Sequence, residues 1–254
     1  MQEIGRVFRG TDMLMALALL TRLPLPHVSF TGRSPAAAAW AYPLAGLVVG
    51  VLAAVMGALA LWLGLPEPIT AALVLVTGVL LTGAMHEDGL ADCADGFWGG
   101  WTVERRLEIM KDSAIGTYGV IALTKSLLVR WSALTLLIEA DYLAAGVIVA
   151  AVMSRATMVW VMRWLPNVRK GGLAAQTGRP SGTAVMIAVL LGIAAPLAAP
   201  GTPTLTLVAC VGLAAVVCGL IARAKIGGQT GDVLGATQQV CEVTALAVFA
   251  AASV

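Results

Sequence analysis

The sequence predicts an all-α integral membrane protein, a polytopic helical bundle of about seven transmembrane helices with a cytoplasmic acidic loop. Of the 254 residues, 59% are hydrophobic and only 12% are charged, whereas ordinary soluble domains are roughly 45–50% apolar and about 25% charged. The 28 glycines and the aromatic share of 6% are typical of close-packed membrane helices, in which small residues let backbones approach. This composition excludes a disordered or nucleic-acid-binding protein, and we expect a single membrane domain over residues 1–254.

Seven apolar runs are candidates for the transmembrane helices. A helix needs about 20 mostly apolar residues to cross a hydrocarbon core of roughly 30 Å. The segment 12–23 is too short to span and is predicted to lie at the interface or to re-enter. Runs near the required length cover residues 36–65, 68–85, 120–138, 142–165, 182–199, 203–222 and 233–254.

The lysines and arginines outside these runs are confined to the N-terminal segment and to alternate connections. Cytoplasmic loops are enriched in both residues, and the connections at 66–67, 139–141 and 200–202 hold neither. We therefore predict that the N-terminus and the charged loops lie in the cytoplasm. Twelve of the 16 basic residues fall on that side: Arg6, Arg9, Arg22, Arg33, Arg105, Arg106, Lys111, Arg169, Lys170, Arg179, Arg223 and Lys225.

The densest polar stretch is HEDGLADCADGFWGG, residues 86–100. Asp88, Asp92 and Asp95 are spaced i, i+4 and i+7, which on a helix places three carboxylates on one face. Like charges so close raise one another's pKa unless a cation lies among them, and oxygen ligands of this kind suit Mg²⁺. A solvated acidic loop is the alternative, but the adjoining membrane span favours a metal site. His86 is a candidate general base, a ligand or a structural hydrogen-bond donor.

Basic residues follow this stretch after one short helix. Arg105, Arg106 and Lys111 would supply the positive charge that phosphate-handling sites require. Alternatively, they pair with Glu104 and Glu108 as ordinary charges on a helix surface.

A second polar segment, GGQTGDVLGA, covers residues 227–236. Its glycines would expose backbone N–H groups to a phosphate, which makes Gly228 and Thr230 candidate phosphate binders, and Asp232 would add a metal ligand. It is not a Walker A motif because no G-K-[ST] follows. Alone, the segment would be interpreted as a flexible connection between helices.

Arg155 lies inside a predicted span, where a charge is costly, so it is a candidate phosphate-binding residue. A structural role as the partner of a buried acid such as Glu242 is the alternative. Lys125 and Arg130 lie closer to the ends of their span and are expected to extend their charged ends toward the interface.

Further motifs are TRLPLP at 21–26, ERRLEIMKDSAIGTYG at 104–119, SR at 154–155 and RKGGL at 169–173. Together with the acidic stretch at 86–100 and GGQTGDVLGA at 227–236, they resemble the cobalamin synthase family, the adenosylcobinamide-GDP ribazoletransferases. Two positions depart from the family pattern: Glu87 stands where the family usually has Leu, and Gln229 where it often has Met or Val. Both changes leave the aspartates in place. The resemblance implies a bacterial inner-membrane enzyme with its active site on the cytoplasmic face.

The resemblance implies a Mg²⁺-dependent transfer in which α-ribazole, or its 5′-phosphate, attacks adenosylcobinamide-GDP through its ribose 3′-hydroxyl. GMP leaves, and the product is adenosylcobalamin or its 5′-phosphate. The general base would be His86 or a carboxylate, and Glu87 would add a ligand or face water. The implied metal ligands are Asp88, Asp92 and Asp95, with Asp232 as a weaker candidate. The implied phosphate-binding residues are Arg105, Arg106, Lys111 and Arg169.

Two other functions are alternatives. A CDP-alcohol-type phosphotransferase also uses clustered aspartates, but DGLAD at 88–92 has Asp where its D-G-x-x-A-R pattern requires Arg. A membrane transporter would use carboxylates inside its spans, whereas seven of the 14 acidic residues lie between positions 87 and 112. The expected partners are the two substrates and the lipid bilayer, with no nucleic acid, and a homo-oligomer is compatible with this sequence.

Overall fold

The computed structural model describes residues 9–26, 34–169, 171 and 176–253, and in these parts of the chain it confirms the all-α fold. The predicted basic positions 6, 33 and 170 lie outside the described residues. A 3₁₀ helix, Pro35–Ala41, leads directly into the α-helix that begins at Tyr42. The α-helices are α1 (Thr11–Leu20), α2 (Tyr42–Trp62), α3 (Glu67–Thr82), α4 (Met85–Gly99), α5 (Val103–Ile109), α6 (Thr117–Glu139), α7 (Leu143–Trp164), α8 (Gly182–Ala198), α9 (Thr204–Ile226) and α10 (Gly231–Ser253).

Five helical segments of the described chain are long and apolar enough to cross a membrane: Pro35–Trp62, α6, α7, α9 and α10. The helices α3 and α4 pass the same test only as a pair bent by 89°, which gives up to six crossings. All seven predicted runs are helical, but the count of seven full-length spans is not reproduced. The reason is length, because α3 has 16 residues and α8 has 17, short of the roughly 20 that a span requires.

The acidic segment 86–100, predicted to connect two spans, is helical over Met85–Gly99, in agreement with the helical spacing of its aspartates. Helix α3 ends at Gly83 with φ +65°, and Ala84 follows at φ +58°. Two successive left-handed residues produce the 89° bend, although a non-glycine residue in this conformation costs about 1–2 kcal/mol. The backbone N–H of Arg22 donates to the carbonyl oxygen of Leu81 at 2.7 Å and so braces the bend. Because α4 carries four acidic residues, we place it at the membrane boundary, outside the spans.

Close crossing of α4 and α10 brings two polar sequence segments together. A Cβ atom on Gly89 would lie 2.7 Å from the carbonyl oxygen of Asp232, and one on Gly235 would lie 3.2 Å from the Cα atom of His86. Side chains at both glycines would force the helices apart. Helix α7 packs beside this crossing as the most buried of the five candidate spans, with 72% of its apolar window inside the bundle.

Candidate active site

A cavity of about 260 Å³ lies where α4 meets the start of α10. We call it the α4–α10 cavity. One part of its wall is polar and contains His86, Asp88, Arg169 and Asp232. Another part belongs to a single apolar cluster and contains Leu20, Tyr42, Met158, Met162 and Leu234.

Arg169 is held at this cavity by a short stretch of β-pairing. Asn167 and Gln229 form an isolated parallel bridge, in which the N–H of Val168 donates to the carbonyl oxygen of Gln229 at 3.0 Å. The pairing fixes the segment after α7 beside the first turn of α10. As a result, Nη2 of Arg169 lies 2.9 Å from Oδ2 of Asp232, with each side chain 19% exposed.

The two predicted phosphate binders at this junction have structural roles. Thr230 is fully buried, and its hydroxyl donates to Oδ2 of Asp232 at 3.2 Å while accepting from the N–H of Val233 at 3.4 Å. It therefore caps α10 and orients the aspartate. Gly228 is buried against Pro166, whose carbonyl oxygen would clash with any Cβ. Neither Thr230 nor Gly228 lines the α4–α10 cavity.

Asp92, one of the predicted metal ligands, does not line the cavity, but its carboxylate lies near the two that do. The pKa of Asp92 is raised to about 7, first by burial and then by the charges of Asp232 and Asp88, and Arg169 only partly opposes this rise. Within the described residues, no three His, Cys, Asp or Glu side chains are grouped so that they could hold a metal ion alone. Mg²⁺ is typically bound by one or two carboxylates, with substrate phosphates and water completing its shell. Asp88 and Asp232, which share the cavity wall, fit such a site.

Asp95 differs from the other two aspartates of α4, and its assignment as a metal ligand is not supported. Its side chain accepts hydrogen bonds from the N–H of Gly116 at 2.7 Å and from that of Gly119 at 2.9 Å, one on each carboxylate oxygen. Asp95 is also only 8% exposed. It therefore caps the N-terminus of α6, where a negative charge is favourable.

We expect Asp95→Ala to destabilise the protein without changing its metal requirement. Two backbone N–H groups would lose their acceptor, which costs about 1–3 kcal/mol in the free energy of unfolding, whereas Asp95→Asn keeps an acceptor oxygen and should cost less. Thermal unfolding of both variants in detergent measures this difference. An unchanged melting temperature combined with a higher Mg²⁺ concentration for half-maximal activity would show instead that Asp95 is a ligand.

The cations predicted to bind phosphate after α4 do not line the cavity. Nη1 of Arg105 lies 2.6 Å from Oε2 of Glu108, with these side chains 60% and 69% exposed, so the alternative of a surface ion pair is confirmed. The guanidinium of Arg106 donates to backbone carbonyls, including that of Lys225 at 2.8 Å, and thereby joins α5 to α9. Lys111 is exposed. All three lie outside the cavity wall.

A second group of charges is buried within the helical bundle. Nη1 of Arg155 lies 3.7 Å from Oε2 of Glu242, so its structural alternative is confirmed and its assignment to phosphate is not supported. Arg130, which we expected near the interface, is 3% exposed and lies 3.2 Å from Glu242 and 3.3 Å from Glu87. Glu87 is 8% exposed and is therefore paired inside the protein instead of facing water. We call these four residues the buried charge cluster; α4, α6, α7 and α10 contribute one each.

Sequence reasoning missed several polar residues around these sites. Gln238 and Gln239 donate hydrogen bonds to the glutamates of the buried charge cluster, and two adjacent amides inside an apolar run were a detectable signal. Tyr42 carried no such signal because it opens an ordinary apolar helix. Its hydroxyl is buried and has no hydrogen-bond partner among the described residues, and the same holds for Nε2 of His86. Each unpaired buried group costs about 1–3 kcal/mol.

Comparison with known proteins adds an independent finding. The family described as cobalamin-5-phosphate synthase matches residues 12–250. A relative from Mesorhizobium japonicum, named adenosylcobinamide-GDP ribazoletransferase, is 43% identical over 95% of this chain and 93% of its own length. Relatives of the same name from Rhizobium etli and Bradyrhizobium diazoefficiens are 43% and 42% identical, over 96% and 94% of this chain and 97% and 93% of their own lengths. No solved structure matches the chain.

Proposed function

This chain belongs to the cobalamin-5-phosphate synthase family, and from that premise we propose that it transfers the adenosylcobinamide phosphate of adenosylcobinamide-GDP to α-ribazole or its 5′-phosphate, releasing GMP. The protein is a transferase of cobalamin synthesis. The observation that carries the proposal is the α4–α10 cavity, in which Asp88, Asp232 and Arg169 meet beside His86. Phosphoryl transfer depends chiefly on positioning and on charge neutralisation, and these side chains are suited to both.

The proposed reaction exchanges one bond at phosphorus for another. The ribose 3′-hydroxyl oxygen of the ribazole bonds to the phosphorus that carries cobinamide. The bond from that phosphorus to the bridging oxygen breaks, and GMP leaves with this oxygen. The hydroxyl proton passes to a general base, for which His86 and a cavity carboxylate are the two candidates. Nε2 of His86 has no other hydrogen-bond partner within the described chain and is free to accept a proton, whereas burial and the charges of Arg155 and Arg130 lower its pKa and make it a weaker base.

The polar wall contains carboxylates that could bind the metal ion and a guanidinium that could bind the diphosphate. Asp88 and Asp232 would hold Mg²⁺, and Arg169, already 2.9 Å from Asp232, would donate to a phosphate oxygen. When bound, the ion would neutralise charge on the phosphates and on the departing GMP. Asp92 lies close enough to both carboxylates for their charges to raise its pKa.

We place this site on the cytoplasmic face of the inner membrane. The cavity lies at the end of the bundle where α9 finishes and α10 begins, and Arg223 and Lys225 occupy the last turn of α9. Arg169 follows the end of α7 at the same junction. Clusters of Lys and Arg favour the cytoplasmic side.

The proposed function is tested with the full-length protein in detergent or in vesicles. Incubation with adenosylcobinamide-GDP, α-ribazole and Mg²⁺ should release GMP and the cobalamin product in equal amounts, and omission of α-ribazole should prevent both. GMP release that does not depend on α-ribazole would indicate hydrolysis instead of transfer. Absence of GMP with both substrates present would contradict the proposal.

Arg169→Gln should lower kcat/KM for adenosylcobinamide-GDP by about 10- to 100-fold, since a hydrogen bond from a charged group to the diphosphate is lost. Arg105→Gln is the matched control, because its side chain is paired with Glu108 at the surface. Steady-state kinetics should show near-normal values for this control. Equal losses of kcat/KM in both variants would mean that Arg169 has no specific role in binding the phosphate.

A further inference from the structure

The lining of the α4–α10 cavity contains two groups of side chains with different chemistry, which we call its polar wall and its apolar wall. The polar wall, with Asp88, Arg169 and Asp232, suits a diphosphate and its cation. The other wall consists of apolar side chains from one packed cluster, including Met158, Met162 and Leu234. A ligand that fills this cavity therefore has an anionic part and a flat or compact apolar part.

Tyr42 belongs to the apolar wall and brings one polar group to it, the phenolic hydroxyl. Tyr42 is 2% exposed, and its hydroxyl has no hydrogen-bond partner in the part of the chain that the structure describes. Buried hydroxyl groups are usually paired, so each exception requires an explanation. A ligand with one hydrogen-bond acceptor at this wall would remove the penalty.

The chemical groups of the two proposed substrates differ in how well they match this wall. The corrin ring is far larger than a cavity of about 260 Å³. Guanine carries several donors and acceptors, most of which would be left unpaired among methionine and leucine side chains. The base of a benzimidazole riboside is flat and neutral, and it has a single unsubstituted ring nitrogen that accepts one hydrogen bond. Methionine sulfur also contacts aromatic rings favourably, and Met158 and Met162 both line the cavity.

We propose that the apolar wall of the α4–α10 cavity is the subsite for the aromatic base of the ribazole substrate, with the Tyr42 hydroxyl donating to its free ring nitrogen. This inference rests on the proposed function and adds the position of the second substrate. The ribose of the nucleoside then lies between Tyr42 and the polar wall, and its 3′-hydroxyl faces the diphosphate. Tyr42 is thus a residue that selects the base, with no part in the proton transfer.

Tyr42→Phe tests the subsite with little risk to folding, because it removes a hydroxyl that has no partner. With saturating adenosylcobinamide-GDP, the KM for α-ribazole should rise about 3- to 10-fold, the value of one hydrogen bond. The KM for adenosylcobinamide-GDP and the kcat should stay unchanged. Tyr118→Phe is the matched control, since Tyr118 is 51% exposed on α6, and all its constants should match those of the unmodified protein.

A substrate analogue gives a second measurement that needs no mutation. The indole riboside has a C–H group in place of the free ring nitrogen, so the unmodified protein should bind it about 3- to 10-fold more weakly than α-ribazole. The Tyr42→Phe variant should no longer distinguish the two ribosides. An unchanged KM for α-ribazole in this variant, or equal discrimination in both proteins, would overturn the proposed subsite.

Equilibrium binding separates failure of the subsite from failure of the proposed function. Binding of α-ribazole to the full-length protein in detergent, measured calorimetrically without the second substrate, should weaken in Tyr42→Phe by the same factor as the KM. If this weakening occurs but no GMP is ever released, the subsite stands and the proposed reaction fails. If GMP is released normally while Tyr42→Phe binds α-ribazole as tightly as before, the reaction stands and the subsite fails.

Discussion

Asp88→Asn is expected to abolish most GMP release, by about 10²- to 10³-fold in kcat, while leaving the stability of the protein unchanged. Asp88 is exposed at the wall of the α4–α10 cavity, and its carboxylate makes no ion pair with another described residue, so folding does not depend on its charge. Catalysis does depend on it in the proposed reaction, because loss of one electrostatic partner of the transition state typically costs this much. The measurement is single-turnover GMP release at saturating Mg²⁺.

Asp112→Asn provides the matched control for this result. Asp112 is exposed after α5, where its Oδ1 accepts from the N–H of Ala114 at 3.1 Å, and the amide oxygen of Asn can do the same. Both variants remove one acidic charge, but only Asp88 lies on the cavity wall. Turnover of Asp88→Asn within a few-fold of normal would remove Asp88 from the reaction.

The helical bundle could be predicted from composition and run length, because a membrane span must satisfy its backbone hydrogen bonds internally. The bend between α3 and α4 could not. It depends on two left-handed residues, Gly83 and Ala84, and alanine gives no local signal for such a conformation. Hydropathy therefore gave no sign that the chain turns by 89° between these two helices.

The spacing of the acidic residues predicted their common helix but not their separate roles. The spacing i, i+4, i+7 placed Asp88, Asp92 and Asp95 on one face of α4. It carried no information on Gly116 and Gly119, whose N–H groups bind both oxygens of Asp95 from 21 and 24 positions away. A carboxylate that caps a distant helix is indistinguishable in sequence from one that is free to bind a metal.

The basic residues show the same limit. Arg105 and Arg106 are close to the acidic stretch in sequence, whereas Arg169 is remote, yet only Arg169 lines the cavity. Its position is set by the pairing of Asn167 with Gln229, a contact across 62 residues that neither segment signals alone. For this site, chain proximity was a poor guide to spatial proximity.

Glu87→Leu should produce the largest loss of stability, about 3–5 kcal/mol in the free energy of unfolding. We expect this loss even though leucine is the residue that the family pattern predicts at this position. The buried charge cluster contains two arginines and two glutamates, so its charges balance. Removing Glu87 leaves Arg130, 3% exposed, to share Glu242 with Arg155. A buried charge left without its partner typically carries this penalty. Thermal unfolding in detergent, with Glu139→Leu at an exposed position as control, measures the effect.

The double variant Glu87→Leu, Arg130→Leu decides whether charge balance or side-chain packing causes the loss. It leaves Arg155 paired with Glu242 and restores neutrality, and replacement of a whole buried ion pair by apolar residues is often nearly neutral. We therefore expect the double variant to be more stable than Glu87→Leu alone, with a coupling energy of about 0.5–3 kcal/mol in the mutant cycle. A double variant as unstable as the sum of the two single variants would show that Glu87 and Arg130 act independently. In that case the loss in Glu87→Leu would come from poor packing of the leucine side chain. The charge of Arg130 would then not explain why this chain has a glutamate at position 87.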